Sequence, residues 1–183
     1  MPSIVLKIIN GELGPNEHLK SDRDFLDEQY RMLRETVLEK GSFPLQLFFA
    51  ESPSQNKKFL LVNDRLDNEE YITAVAGVVR EFMRDQDVTR VVLLSEVWWA
   101  QVSDEESQEV LSGNKRVDEL EPPQDRPDRR EAVVAVLFKK GETDVTMLGD
   151  ITRNAAGDIV DIPAQPALKQ MSEAAGRFVR LLG

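Results

Sequence analysis

The sequence predicts an α+β fold, a mostly antiparallel sheet of about five strands with three main helices in the order αββαβββα. Three observations carry that expectation. Apolar residues recur at helical spacing in separate segments, β-type apolar runs lie between them, and most of those runs are joined by short connections that suit antiparallel neighbours. At 183 residues, the chain has the usual length of one domain and enough material to bury a core without staples.

Residues 1–20 read as an N-terminal arm in which Ile4 to Ile9 form a short edge strand or a helical turn, followed by a loop at GELGPNE. Ser21 then caps a first helix with Asp24 near N3. Leu26, Tyr30, Leu33 and Val37 form its stripe, and Gly41 supplies a left-handed stop. PLQLFFA and FLLVN read as two strands around the turn-rich ESPSQNKK. Asp67 and Glu70 form a capping box for a second helix with Tyr71, Ile72, Val75, Val78, Val79 and Phe82 on its apolar face, ending near Met83 or Arg84.

The longest apolar-rich strand follows, from about Thr89 to Val102, and contains SEVWWAQ. The stretch 103–129 carries nine acids and four bases and is long for a loop inside one domain. Ser103 and Glu106 are placed to cap a short helix that would divide it and end near Gly113. EAVVAVLFKK, DVTMLGDITRN and IVDI complete the strands, with turns at KGET and at Ala155 to Asp158. Pro166 suits the first turn of a last helix whose Leu168, Met171, Ala175, Phe178 and Leu182 share a face.

Side chains alternate along a strand. Val91, Leu93, Val97 and Trp99 therefore oppose Val92, Leu94, Trp98 and Ala100, and Ala132, Val134, Val136 and Phe138 oppose Val133, Ala135 and Leu137. Both faces of the central sheet are apolar, unlike a sheet wet on one side. They must be covered by helices split between them or by another subunit, so self-association is expected, with a homodimer or another protein as partner.

Composition narrows the chemistry. Absence of cysteine removes disulfides, thiolate metal sites and a cysteine nucleophile. A single histidine, His18, argues against a histidine-rich metal site or a serine–histidine–aspartate triad. Neither GxGxxG nor GxxxxGK occurs, and DITRNAAGDIVD from Asp150 to Asp161 has Ala155 where a calcium loop needs glycine. No cofactor or metal is expected. Net charge of −10 argues against nucleic acid. No stretch approaches the roughly 18 apolar residues of a membrane helix, and no export leader opens the chain. The expected location is cytoplasmic.

The residues that retain chemical interest lie at the end of the third strand. Glu96 stands between Leu94 and Trp98 on one face, where an unpaired carboxylate would have a raised pKa suited to a general acid. The alternative is a structural ion pair with Arg129 or Arg130. Asp128, Arg129 and Arg130 are the other candidate catalytic residues, because arginine forks can hold phosphate or carboxylate; equally, they can neutralise neighbouring acids. Trp98 and Trp99 point to opposite faces, which suits core or interface packing better than one stacking platform. The segment Ser95, Glu96, Trp98, an acidic proline-containing loop, and Pro127–Glu131 leading into an apolar strand resemble a pattern in small bacterial and phage proteins without an assigned activity. That resemblance implies a shared constellation of Glu96 with the arginine cluster and no particular reaction. The leading expectation is an interaction or self-associating module without cofactor. The rival is an enzyme with a carboxylate and arginine site, dependent on a divalent metal or a phosphate-bearing ligand.

Overall fold

A computed structural model describes residues 4–41, 46–65, 68–116, 119–122, 125–142 and 145–169. Its strands are β1 (Lys7–Glu12), β2 (Gln46–Ser52), β3 (Lys57–Asn63), β4 (Arg90–Trp99), β5 (Arg130–Lys139), β6 (Val145–Asp150), β7 (Thr152–Arg153), β8 (Ile159–Asp161) and β9 (Ala167–Lys169). The helices are α1 (Asp22–Lys40), α2 (Glu69–Asp85) and α3 (Asp104–Leu111). Seven strands form one sheet in the order β1-β3-β2-β4-β5-β6-β9, and β7 pairs with β8 in a separate two-stranded ribbon. Every pairing is antiparallel, as the short connections predict, but the described residues form nine strands and not about five, in the order βαββαβαβββββ in place of αββαβββα.

The two apolar faces are covered by different helices. Leu26, Tyr30, Leu33 and Val37 of α1 pack with Leu47, Val92, Leu94, Val133, Ala135 and Leu137. Tyr71, Val75, Val79 and Met83 of α2 pack with Phe48, Leu61, Val91, Leu93, Val134 and Phe138. Alternation along β4 and β5 thus separates the core into two layers, each stabilised by about 1.5–3 kcal/mol per large buried aliphatic side chain. Because α1 and α2 close both faces, no second subunit is needed to cover the sheet, and the apolar faces cease to be a reason for self-association.

Helix boundaries follow local chemistry. The Ser21 side chain accepts the amide hydrogen of Asp24, and Gly41 at φ 71° ends α1 with its N–H donated to Val37. Ser103 and Glu106 form a reciprocal capping box that starts α3. At α2 the observed cap is Asn68, which accepts from the Tyr71 amide; Asp67, expected there, lies outside the described residues.

Two other expectations change. Gly11 and Glu12 belong to β1 and not to a loop, and β1 occupies the sheet edge beside β3. Residues Ala167–Lys169 are a strand against β6, so Pro166 does not open a helix. Pairing with an available sheet edge takes precedence there over helical spacing. Met171, Ala175, Phe178 and Leu182 lie outside the described residues, as do Pro44, Leu45 and Pro123.

Candidate functional site

The end of β4 carries two polar constellations, one on each face of the sheet. On the α1 face, Arg153 Nη2 donates to Glu96 Oε1 at 2.7 Å, its Nε donates to Glu131, and its Nη1 donates to the Gly157 carbonyl at 2.9 Å. The geometry is set by the strands. Glu96 faces Val133 and Trp98 faces Glu131 across the β4–β5 pair, so both carboxylates share one face. The chain leaves β6 at Asp150, turns through Asn154 to Gly157, and brings Arg153 over them. The two carboxylates raise the Arg153 pKa, Glu131 contributing most through its hydrogen bond. The partner of Glu96 is therefore Arg153 and neither Arg129 nor Arg130.

Trp98 lies on the same face, 45% exposed, with the Arg129 guanidinium 5.1 Å from its ring centre. On the α2 face, Trp99 packs against the core layer and donates its indole N–H to Asp150 Oδ1 at 2.9 Å. Arg130 stands 5.5 Å from the Trp99 ring centre and 3.5 Å from Asp150. The tryptophans occupy opposite faces, as alternation requires; Trp99 is a packing residue, and Trp98 is the exposed one of the two.

Asp128 belongs to a third group. Arg126 donates to Glu106 at 2.9 Å, to Asp128 at 3.2 Å and to the Gln101 carbonyl, which ties the far end of the 103–129 segment to the first turn of α3. The Ser103 backbone N–H, with Arg126 behind it, lowers the Glu106 pKa to about 2. Glu96, Asp128, Arg129 and Arg130 are thus spread over two sheet faces and a brace, and do not converge on one reacting position.

The opposite end of the sheet holds the most buried charge. Arg90 and Glu51, adjacent in the β2–β4 register, meet at 2.6 Å with both side chains 7% exposed. Arg90 also contacts Asp22 and the Lys20 and Glu17 carbonyls, and its guanidinium lies 4.3 Å from the Phe25 ring centre. Burial pushes the Asp22 pKa up, but hydrogen bonds from Lys139 and Arg90 outweigh it and leave it lowered. His18, Asp22, Glu51, Arg90 and Lys139 line a cleft of about 430 Å³. Arg90 and Lys139 are already engaged by protein groups, so the cluster joins the start of α1 to three strands. Among the described residues, no three His, Asp or Glu side chains gather closely enough to hold a metal ion.

The chemistry-bearing residues that the sequence reading missed are arginines 90 and 153; Arg126 was grouped with the neighbouring arginines but not paired with Glu106. Arg153 was hidden in a stretch read only as a hairpin. Arg90 began an apolar strand, where a buried cation is rare unless paired, and that rarity was a usable signal.

No protein-family model matches this chain, and no curated protein or solved structure matches it.

Proposed function

We propose that the chain is a protein-interaction module that associates with itself, and that the edge strand β1 is its contact surface. One observation carries this reading. All six residues of β1 are exposed, and Ile8 and Ile9 stand 48% and 60% exposed at its centre. An edge strand presents a row of unpaired backbone groups, and proteins commonly blunt such edges with proline, inward charge or a covering element. Here the charges, Lys7 and Glu12, sit only at the ends of KIINGE.

The rest of the described surface supports the same choice. Both sheet faces are covered by α1 and α2, and the ionic clusters at the two ends of the sheet are internally paired. The carboxylate and arginine enzyme draws no comparable support from the geometry, since its candidate residues are dispersed and Glu96 is occupied by Arg153.

Molecular mass by light scattering over a range of concentrations tests the proposal. A concentration-dependent dimer is expected for the native chain and a monomer for Ile9→Lys, with the thermal melt of the variant little changed because residue 9 is exposed. A native chain that stays monomeric at high micromolar concentration ends the proposal.

A further inference from the structure

We infer that two copies join antiparallel through β1 about a two-fold axis at Ile9, making one continuous sheet. This rests on the self-association reading and adds its register. The Leu13 N–H donates to the Asn56 carbonyl at 3.2 Å, continuing the register in which Glu12 faces Lys57. In an antiparallel ladder, alternate residues turn their N–H and C=O toward the same neighbour. Residues 7, 9, 11 and 13 therefore address β3, and Ile8, Asn10 and Glu12 direct theirs outward.

A strand that pairs with its own copy across a two-fold axis must match outward residues with outward residues. The axis then falls on a residue and not between two. Centred on Ile8, only residues 7–9 of the strand pair. Centred on Ile9 or Asn10, five residues pair. The Asn10 register sets Ile9 against Gly11 and Ile8 against Glu12. The Ile9 register sets Ile9 against its own copy, Ile8 against Asn10, and Lys7 against Gly11. It alone gives the more exposed isoleucine an apolar partner, of the β-branched type that stabilises cross-strand pairs. Antiparallel joining also brings the Lys7 end of each strand toward the Glu12 end of the other, so like charges do not meet.

Ile9 faces Leu60, which packs against the α1 layer, and Ile8 faces Leu61 of the α2 layer. The joint extends both core layers across the axis. The four outward N–H and C=O groups of Ile8 and Asn10 in each copy gain partners from the other.

Absence of cysteine makes the register directly testable. Residues opposed in a non-hydrogen-bonded pair have Cα atoms about 4.5 Å apart, within the span of a disulfide, whereas diagonal neighbours at about 7–8 Å are not. Ile8→Cys, Ile9→Cys and Asn10→Cys, each as a single-cysteine chain, are oxidised and run on non-reducing gels beside light scattering of the native protein. Ile9→Cys is expected to cross-link to a covalent dimer at least tenfold faster than the other two. Asn10→Pro, which removes an outward donor and leaves the bonds to β3 intact, is expected to give a folded monomer. Preferential cross-linking at residue 8 or 10 overturns the register but keeps self-association through β1. A native dimer with no cross-link at any of the three places the interface elsewhere. A ladder of species beyond dimer replaces the two-fold joint with a head-to-tail one, and a strictly monomeric native chain ends both readings.

Discussion

Gly149→Ala should destabilise the fold by several kcal/mol although it adds one methyl group. Gly149 faces Val133 on the α1 side of the β5–β6 pair, and a Cβ there would lie 2.3 Å from Tyr30 Oη and 3.3 Å from its Cζ. The hydroxyl would have to withdraw by about 1 Å to reach ordinary contact, which begins at 3.4 Å. Tyr30 is 2% exposed, burial pushes its pKa up to about 12, and its neutral hydroxyl donates to the Pro163 carbonyl at 2.7 Å. Overpacking costs about 1–3 kcal/mol, and leaving the half-buried Pro163 carbonyl without its donor about 1–3 kcal/mol more. The expected total is about 2–6 kcal/mol, or a fall in melting temperature of about 4–24 °C at this chain length. The opposite sign would hold at an unobstructed site, where alanine stabilises by restricting the unfolded chain. The assay is a double-mutant cycle by urea denaturation. Tyr30→Phe alone should cost about 1 kcal/mol, and in its background Gly149→Ala should cost much less, because the clashing oxygen is gone. A single mutant within about 0.5 kcal/mol of the native protein, or strict additivity of the pair, would refute the close approach.

Arg153→Ala should cost about 1–2 kcal/mol in urea unfolding, since it leaves Glu96 and Glu131 facing each other half-buried; Arg130→Ala, at an exposed pair, should cost under about 1 kcal/mol. Equal costs would mean that Arg153 is not the bridge. Arg90→Ala should cost about 3–5 kcal/mol by stranding Glu51, and Arg90→Met with Glu51→Leu should recover most of it, as read from the denaturation midpoint. The Glu106 carboxyl, depressed from an ordinary 4.5 to about 2, contributes stability to the α3 cap that is complete above pH 4.5 and lost as pH falls through about 2. Carboxyl chemical shifts should titrate near 2, and nearer the ordinary value in Arg126→Ala; a native midpoint near 4.5 would contradict the clamp.

Periodicity made the helices and the central strands legible in advance. Leu26, Tyr30, Leu33 and Val37 are spaced so that only one helix face can bury them, and the continuous apolar runs of β4 and β5 require covers on both sides. Capping was equally readable at Ser21, Gly41 and Ser103, because the first and last turns of a helix depend on local groups. The end of the chain was not. Ala167–Lys169 is short and carries little periodicity, and its pairing with Thr146–Leu148 is a contact between residues some twenty apart that no local spacing reveals. The candidate site failed for the same reason. Glu96 was rightly placed on the face of Trp98, yet its choice among arginines depended on how the chain turns after Asp150. A strand order fixes neighbours within the sheet, whereas Arg153 arrives from outside it, through a hairpin whose direction follows from its β7–β8 pairing.

The proposed self-association then depends on a contrast between the whole molecule and its edge. The chain carries a net charge of −10, which repels a second copy, but that repulsion is screened over about 8 Å at physiological salt. The edge strand holds one lysine and one glutamate and is locally neutral, and its isoleucines gain from losing water whatever the salt. Association through β1 should therefore strengthen as salt rises. A dimer held by the charged clusters would weaken instead, and the Arg90 and Arg153 networks, closed within one copy, offer no group to hold it.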